Sequence, residues 1–234
     1  MQMMYQHYDD YKTVLAAIKY APPSDRNTPI RMLDFGCGPA TAALALTDYI
    51  IEQHGYAPIV HYAGIDIYSE MLSVAERFLG VVTADGSRGG FRLGKTVQEV
   101  LPALAIGKLP RQAHLIVSAS YIFSQPLSND TVKGFAELTN HTVRNGADDA
   151  AWYIGLNIDA AAAGLVDHFP TYRNRCQQQG VLLPQTTGRV TSSRRYPKTL
   201  YEGEFFEGSA SKPGNVCYVG GPVRVETQPC SSAS

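Results

Sequence analysis

From Ile30 onward, short apolar runs alternate with stretches of helical period, which marks βαβ units and predicts an α/β chain with a mostly parallel sheet. A Gly-rich turn, Gly36–Ala40, joins the first apolar run to the first helical stretch, as in sheets that bind ligands at their strand ends. Strand-like pieces at 189–196 and 216–226 fit an antiparallel hairpin that closes the sheet.

Taken in order, Met1 to about Pro22 reads as one helix, because Tyr5, Tyr8, Tyr11, Leu15 and Ile18 recur at spacings of three and four, and Pro22 and Pro23 end it. This stripe is expected to pack on the main body, with a lid over a ligand as the other reading. Arg31–Phe35 is a buried strand, and Thr41 to about Gln53 is a helix with Leu44, Leu46, Ile50 and Ile51 apolar. Tyr62–Asp66 is the second strand. Ser69 is expected to cap a helix with Met71, Leu72, Ala75, Phe78 and Leu79 on one face, closed by Gly80.

Residues 83–90 read as a loop, Phe91–Gly94 as a third strand and Val97 to about Ile106 as a short helix. His114–Ser118 is the fourth strand. Asn129 or Asp130 caps a helix that runs to about Arg144, and Trp152–Asn157 is the fifth strand. Ala160–Phe169 has a helical pattern that Pro170 is expected to stop. The expected organisation is an N-terminal helix and lid over 1–29, a main domain over 30–226 and a frayed tail over 227–234.

The chain has 234 residues, 44% of them hydrophobic, and at that length roughly 70–75% of the unfolded surface can be buried without metals or disulfides. Its 20 Lys+Arg against 21 Asp+Glu exclude a uniformly basic coat for nucleic acid or anionic membrane. The four cysteines, Cys37, Cys176, Cys217 and Cys230, form no Cys-x-x-Cys, and the six histidines are scattered, so no metal site is expected. No apolar run approaches the ~20 residues of a membrane span and the first ten residues are polar, so a cytoplasmic address is expected.

The balance is uneven along the chain. Between His168 and Tyr201 lie Arg173, Arg175, Arg189, Arg194, Arg195 and Lys198 with no acid, followed by Glu202, Glu204 and Glu207. A nucleic-acid contact through Arg189, Arg194, Arg195 and Lys198 is one expectation, and a solvated hairpin balanced by those acids is the other.

The chemistry concentrates in Leu33-Asp-Phe-Gly-Cys-Gly-Pro-Ala40, between a strand and a helix. The glycines let a ligand approach the backbone, and the helix N-terminus offers free N–H groups to an anion. A dinucleotide fingerprint would place a small residue where Thr41 stands and an acid about 20 residues on, whereas the acid ending the second strand, Asp66, lies 28 after Gly38. Asp34, just before the turn, would repel a pyrophosphate and suits an amino group.

These residues resemble the first motif of class I S-adenosylmethionine-dependent methyltransferases, and Ile65-Asp-Ile-Tyr-Ser-Glu-Met-Leu72 resembles their second strand and following helix. The resemblance spans about residues 30 to 158 in strand order and implies a doubly wound, Rossmann-like sheet of seven strands that binds S-adenosylmethionine. It implies that Gly36, Cys37, Gly38 and Pro39 line the methionine end and that Asp34 sits near its amine. Asp66 would accept from the ribose hydroxyls, Ile67 would flank the adenine with Thr96 and Val97 on its other side, and Ser118 would lie beside the sulfonium. Tyr121, after the fourth strand, falls on the acceptor side as the catalytic candidate.

Two positions depart from the pattern. The acid that holds the adenine amino group after the third strand is replaced by Lys95 and Thr96, and His114 stands where the fourth strand usually begins with an acid. The exit Ser118-Ala-Ser-Tyr121 keeps the ends of the amine-modifying Asn/Asp/Ser-Pro-Pro-Tyr/Phe motif without its prolines, and 120–125 lack the acids of arginine methyltransferases. Phe123 and Trp152 read as core, and Asp159, His141 and His168 as solvated or satisfied side chains rather than general bases. The expected function is methyl transfer to an unidentified acceptor, a small molecule favoured over RNA, DNA or protein. The alternative is an inactive cofactor-binding protein acting in an assembly.

Overall fold

The computed structural model describes residues 2–84, 89–104, 114–146, 151–157, 167–192 and 214–226. In chain order they form α1 (Gln2–Ala17), β1 (Ile30–Phe35), α2 (Thr41–His54), β2 (Val60–Ile65), α3 (Ser69–Ala84), β3 (Gly90–Gly94) and α4 (Val97–Leu104). There follow β4 (His114–Ser120), α5 (Asn129–Gly146), β5 (Ala151–Asn157), α6 (Phe169–Gln178), β6 (Val181–Leu182), β7 (Thr187–Ser192), β8 (Gly214–Pro222) and β9 (Arg224–Val225).

Seven strands form one sheet in the order β3-β2-β1-β4-β5-β8-β7. The pairs from β3 to β5 are parallel, and β8 runs antiparallel to both β5 and β7, so the expected hairpin closes the sheet. A separate short pair joins β6 to β9. This is the doubly wound, Rossmann-like α/β fold expected from the sequence.

The two-residue period of the strands sorts side chains into two cores. Leu33, Phe35, Val117, Ala119 and Tyr153 pack with Phe135 of α5 and Phe169 and Tyr172 of α6. Ile30, Met32, Ile116, Ile154 and Leu156 pack on the other face with Tyr11, Val14 and Leu15 of α1 and Leu46 and Ile50 of α2. The alternation then places Asp34 and Ser118, register partners in β1 and β4, on the α1–α2 face.

Several boundaries differ from expectation for local reasons. Lys19, at φ 54°, ends α1 before Pro22, and the Tyr20 N–H reaches back to Leu15 O. Gly80 lies inside α3 and does not close it. The caps shift by one residue. Tyr68 O accepts from the Met71 and Leu72 N–H groups while the Ser69 hydroxyl turns to Glu70, and Ser128 Oγ rather than Asn129 or Asp130 accepts from the Thr131 N–H. Pro170 sits in the first turn of α6, where its missing N–H costs nothing, so it starts a helix instead of stopping one. Ile51, Met71 and Phe78 are exposed, leaving narrower apolar faces on α2 and α3 than the sequence suggests. The expected helix over Ala160–Phe169, apart from residues 167–169, and the tail after 226 lie outside the described residues.

Candidate functional site

β1 and β4 are neighbours, yet the chain leaves them toward opposite edges of the sheet. Such a switch point opens a crevice beyond the carboxyl ends of the strands. The turn after β1 enters it with Gly36 at φ 68°, Gly38 at φ 51° and Ala40 at φ 62°. Gly36 and Cys37 both donate their N–H groups to Ile65 O, at 2.8 and 3.0 Å, which pins the turn to the end of β2. A Cβ on Gly36 would meet Ile122 at 3.0 Å, whereas one on Gly38 would meet nothing within 4 Å. Gly38 therefore presents bare backbone to open space. Ala40, the cap residue of α2, supplies no side-chain acceptor, so no cap side chain satisfies the first-turn N–H groups of that helix.

Below this turn Asp34 is wholly buried. Its Oδ2 accepts from the Tyr62 hydroxyl at 2.7 Å, and its Oδ1 has no partner. Burial pushes its pKa up to about 6 against the pull of Tyr62 and Ser118, which favour the charged form. The Ser118 hydroxyl is buried as well and lies close enough to favour the charged form without completing a hydrogen bond. Gly64, the register partner of Asp34 on β2, leaves room on this face that Cys37 Sγ and the Tyr62 ring occupy. Cys37 is buried with its thiol pushed well above the usual range, so its side chain is a filler and no nucleophile.

Asp66 stands at the rim of the crevice. Its Oδ2 accepts from the Gly38 N–H at 2.8 Å and its Oδ1 from the Tyr68 N–H at 2.9 Å. A carboxylate has about four acceptor sites, so capacity remains for two further donors. Ile67 beside it is 69% exposed. Across the rim Thr96 is exposed, while Val97 packs toward the core under α5. Pro39 is buried behind the turn. Lys95 and Thr96 are not alone there, because Glu99 Oε2 folds back to accept from the Lys95 N–H at 2.8 Å. That brings an acid to the end of β3 from the first turn of α4.

Tyr121 leaves β4 in the left-handed region, at φ 60°, and its hydroxyl donates to Asp10 Oδ2 of α1 at 2.7 Å. Its ring stands edge-on to His7, with centroids 5.5 Å apart. The crevice thus gathers Asp34, Gly36, Gly38, Asp66, Ser118 and Tyr121, together with Tyr62, Glu99, His7, Asp10 and Tyr11, which sequence reasoning missed. Tyr62 shares the face of Asp34 by strand alternation, but only the register brings the two together. Asp10 of α1 lies 111 positions from Tyr121, and no local signal reports that contact.

The other candidates sit elsewhere. His168 Nε2 accepts from the Leu127 N–H at 3.4 Å in a structural turn, His141 is exposed beside Asn145, and Asp159 lies outside the described residues. Of the basic stretch, Arg173 and Arg175 are on α6, with Arg173 over the Phe169 ring, and Arg189 is on β7. Arg194, Arg195 and Lys198 lie outside the described residues. No described helix is long and apolar enough to cross a membrane.

No family profile and no curated protein matches this sequence. Among solved structures, a geranyl diphosphate methyltransferase in complex with S-adenosylmethionine superposes with a TM-score of 0.50 at 11% identity, over 93% of this chain and 85% of its own. The two share a fold. A magnesium protoporphyrin IX methyltransferase from Synechocystis PCC 6803 with bound S-adenosylhomocysteine matches at 14% identity and a TM-score of 0.48, over 94% of this chain and 83% of its own. A structure from Galdieria sulphuraria, described as a sarcosine dimethylglycine methyltransferase, matches 77% of this chain at 11% identity and a TM-score of 0.45, and the chain spans only 63% of that structure's length.

Proposed function

We infer that the chain binds S-adenosylmethionine in the crevice between β1 and β4 and transfers its methyl group to an acceptor. The observation that carries this reading is the unpartnered Oδ1 of the wholly buried Asp34, set beneath bare Gly38 backbone and the uncapped start of α2. A buried acceptor without a donor costs about 1–3 kcal/mol, and a ligand ammonium would supply that donor. The open α2 N-terminus suits a carboxylate in the same ligand. An amino acid end has both groups, and a pyrophosphate has neither. The shared fold with a protein solved in complex with S-adenosylmethionine supports the same choice.

Asp34 and Ser118 would hold the amino acid end with the Gly36–Gly38 backbone, and the free acceptor sites of Asp66 would take the ribose hydroxyls. Ile67 offers an exposed apolar surface to a flat ring, and Glu99 brings an acceptor to the end of β3, where an adenine amino group needs one. The bound group would supply an electrophilic methyl on a sulfonium. Since that carbon is already activated, the protein's task is chiefly positioning, which supplies up to about 7–11 kcal/mol. Tyr121, fixed by Asp10 and by its N–H to Leu156 O, faces the acceptor side.

Calorimetry with S-adenosylhomocysteine tests the reading directly. Binding is expected, and Asp66→Ala should weaken it about tenfold to a few hundredfold through the two lost hydroxyl bonds. Asp66→Asn keeps an oxygen for only one of the Gly38 and Tyr68 N–H groups and sets an amide NH2 against the other, so it should weaken binding about as much as Asp66→Ala. No binding of S-adenosylhomocysteine, with a thermal shift by a dinucleotide instead, would overturn the assignment. Transfer of label from methyl-labelled cofactor to material in a cell extract separates an enzyme from an inactive binder.

A further inference from the structure

The face of α1 turned to the crevice carries more polar atoms than the fold uses. Asp10 is 1% exposed; one oxygen accepts from Tyr121, and the other, Oδ1, is buried without a partner. His7 Nε2 is likewise buried and unpartnered, its ring edge-on to Tyr121 and to Tyr11, with centroids 5.5 and 6.1 Å away. Burial pushes the His7 pKa down to about 4, so the imidazole is neutral near pH 7, and in its Nδ1–H tautomer Nε2 is an acceptor. No basic side chain among the described residues pairs with Asp10. Native structures leave few buried polar atoms unmatched, so Asp10 Oδ1, His7 Nε2 and the Tyr11 hydroxyl, all unmatched on one face of α1 beside Tyr121, point to a missing polar partner.

We propose that His7, Asp10 and Tyr121 form a subsite for an amine, and that the methyl acceptor is a small primary or secondary amine held there. With His7 in its Nδ1–H tautomer, an amine has N–H donors for both Asp10 Oδ1 and His7 Nε2 and a lone pair for the Tyr11 hydroxyl, whereas a hydroxyl has one donor. A carboxylate or phosphate would face the Asp10 carboxylate with no paired cation among the described residues to offset it, which favours an amine over the phosphates of a nucleic acid at this subsite. In the transfer the amine, having lost its ammonium proton to water, forms the N–C bond as the methyl carbon–sulfur bond breaks and S-adenosylhomocysteine leaves; the positive charge passes from sulfur to nitrogen, where a fixed carboxylate stabilises it until a proton is shed. This subsite rests on the cofactor reading above for its role, and its binding chemistry is tested separately.

The test is titration calorimetry on the full chain saturated with S-adenosylhomocysteine, at pH 7.5, with propylamine, propanol and propionate as probes of one size. Propylamine is expected to bind at least tenfold more tightly than propanol, and propionate not to bind. Asp10→Asn should weaken propylamine tenfold or more while changing S-adenosylhomocysteine affinity less than threefold. His7→Ala, which removes one acceptor and keeps the charge, should weaken it threefold to tenfold and serves if Asp10→Asn does not fold. Equal affinity for the three probes, or amine affinity indifferent to both variants, overturns the subsite and leaves the cofactor reading standing. If S-adenosylhomocysteine itself fails to bind, the cofactor reading falls, and the same probe series on the free protein still decides the subsite.

Discussion

Asp34 is a single side chain whose energetics set function against stability. Its folded pKa of about 6 lies above its ordinary value of 3.8, so its contribution to stability is fully present below pH 3.8 and is lost as pH rises through 6. At pH 7 the ligand-free fold thus carries an ionised buried carboxylate at a cost of about 3 kcal/mol, two pH units at 1.36 kcal/mol each. Asp34→Asn should therefore raise the melting temperature of the free protein at pH 7 by several degrees. The same change should abolish stabilisation by S-adenosylhomocysteine. In the wild type, affinity for that ligand should be level above pH 7 and fall roughly tenfold per unit below pH 6, because an ammonium needs the ionised form. An unchanged melting temperature, or a flat pH profile, would remove Asp34 from the site. The acid was legible in the sequence from its place before the turn; its bond to Tyr62 was not, since that depends on which strands pair and in what register.

At the scale of elements, the β1–α2 turn separates two glycines that look equivalent in sequence. Gly36 and Gly38 both have positive φ, but only at Gly36 would a side chain strike a neighbour, Ile122 at 3.0 Å. Gly36→Ala should lower unfolding free energy by roughly 2–4 kcal/mol, from left-handed strain and forced repacking together. Gly38→Ala carries the strain alone, about 1–2 kcal/mol, and instead places a methyl in the open space before the turn. It should cost S-adenosylhomocysteine at least tenfold in affinity. Denaturant melts beside calorimetry check the contrast, and equal effects on both measurements would refute it. Element identity was well read because periods of two and 3.6 are local properties of the chain. Boundaries were read less well. Caps moved to Tyr68 and Ser128, and Pro170 opened α6, because the choice among adjacent residues turns on dihedrals that tertiary packing decides.

For the whole molecule, parallel connections of fixed hand leave few ways to order strands alternating with helices, which is why the sheet could be foreseen. The placement of α1 could not, since its stripe of Tyr11, Val14 and Leu15 would suit any apolar surface. In the fold it packs against α2 and touches β5, β7 and β8. Among the described residues, the side-chain bonds that tie it down laterally join Tyr8 to Asp48, Lys12 to Glu52 and Asp10 to Tyr121. Two of these reach α2 alone, and the third ends at the crevice itself. A helix held this way can open locally at less cost than the sheet, and opening would uncover Asp34, Ser118 and Tyr121 together. If ligand leaves through that opening, amide exchange in α1 is slowed by the factor one plus ligand over Kd, about a hundredfold at a hundred times Kd. Hydrogen exchange with and without S-adenosylhomocysteine should therefore show α1 protected by about that factor, with the terminal turns of α5, on the opposite face of the sheet, unchanged. Protection of α1 no greater than that of α5 would mean that the helix is a fixed wall and that ligand enters by another route.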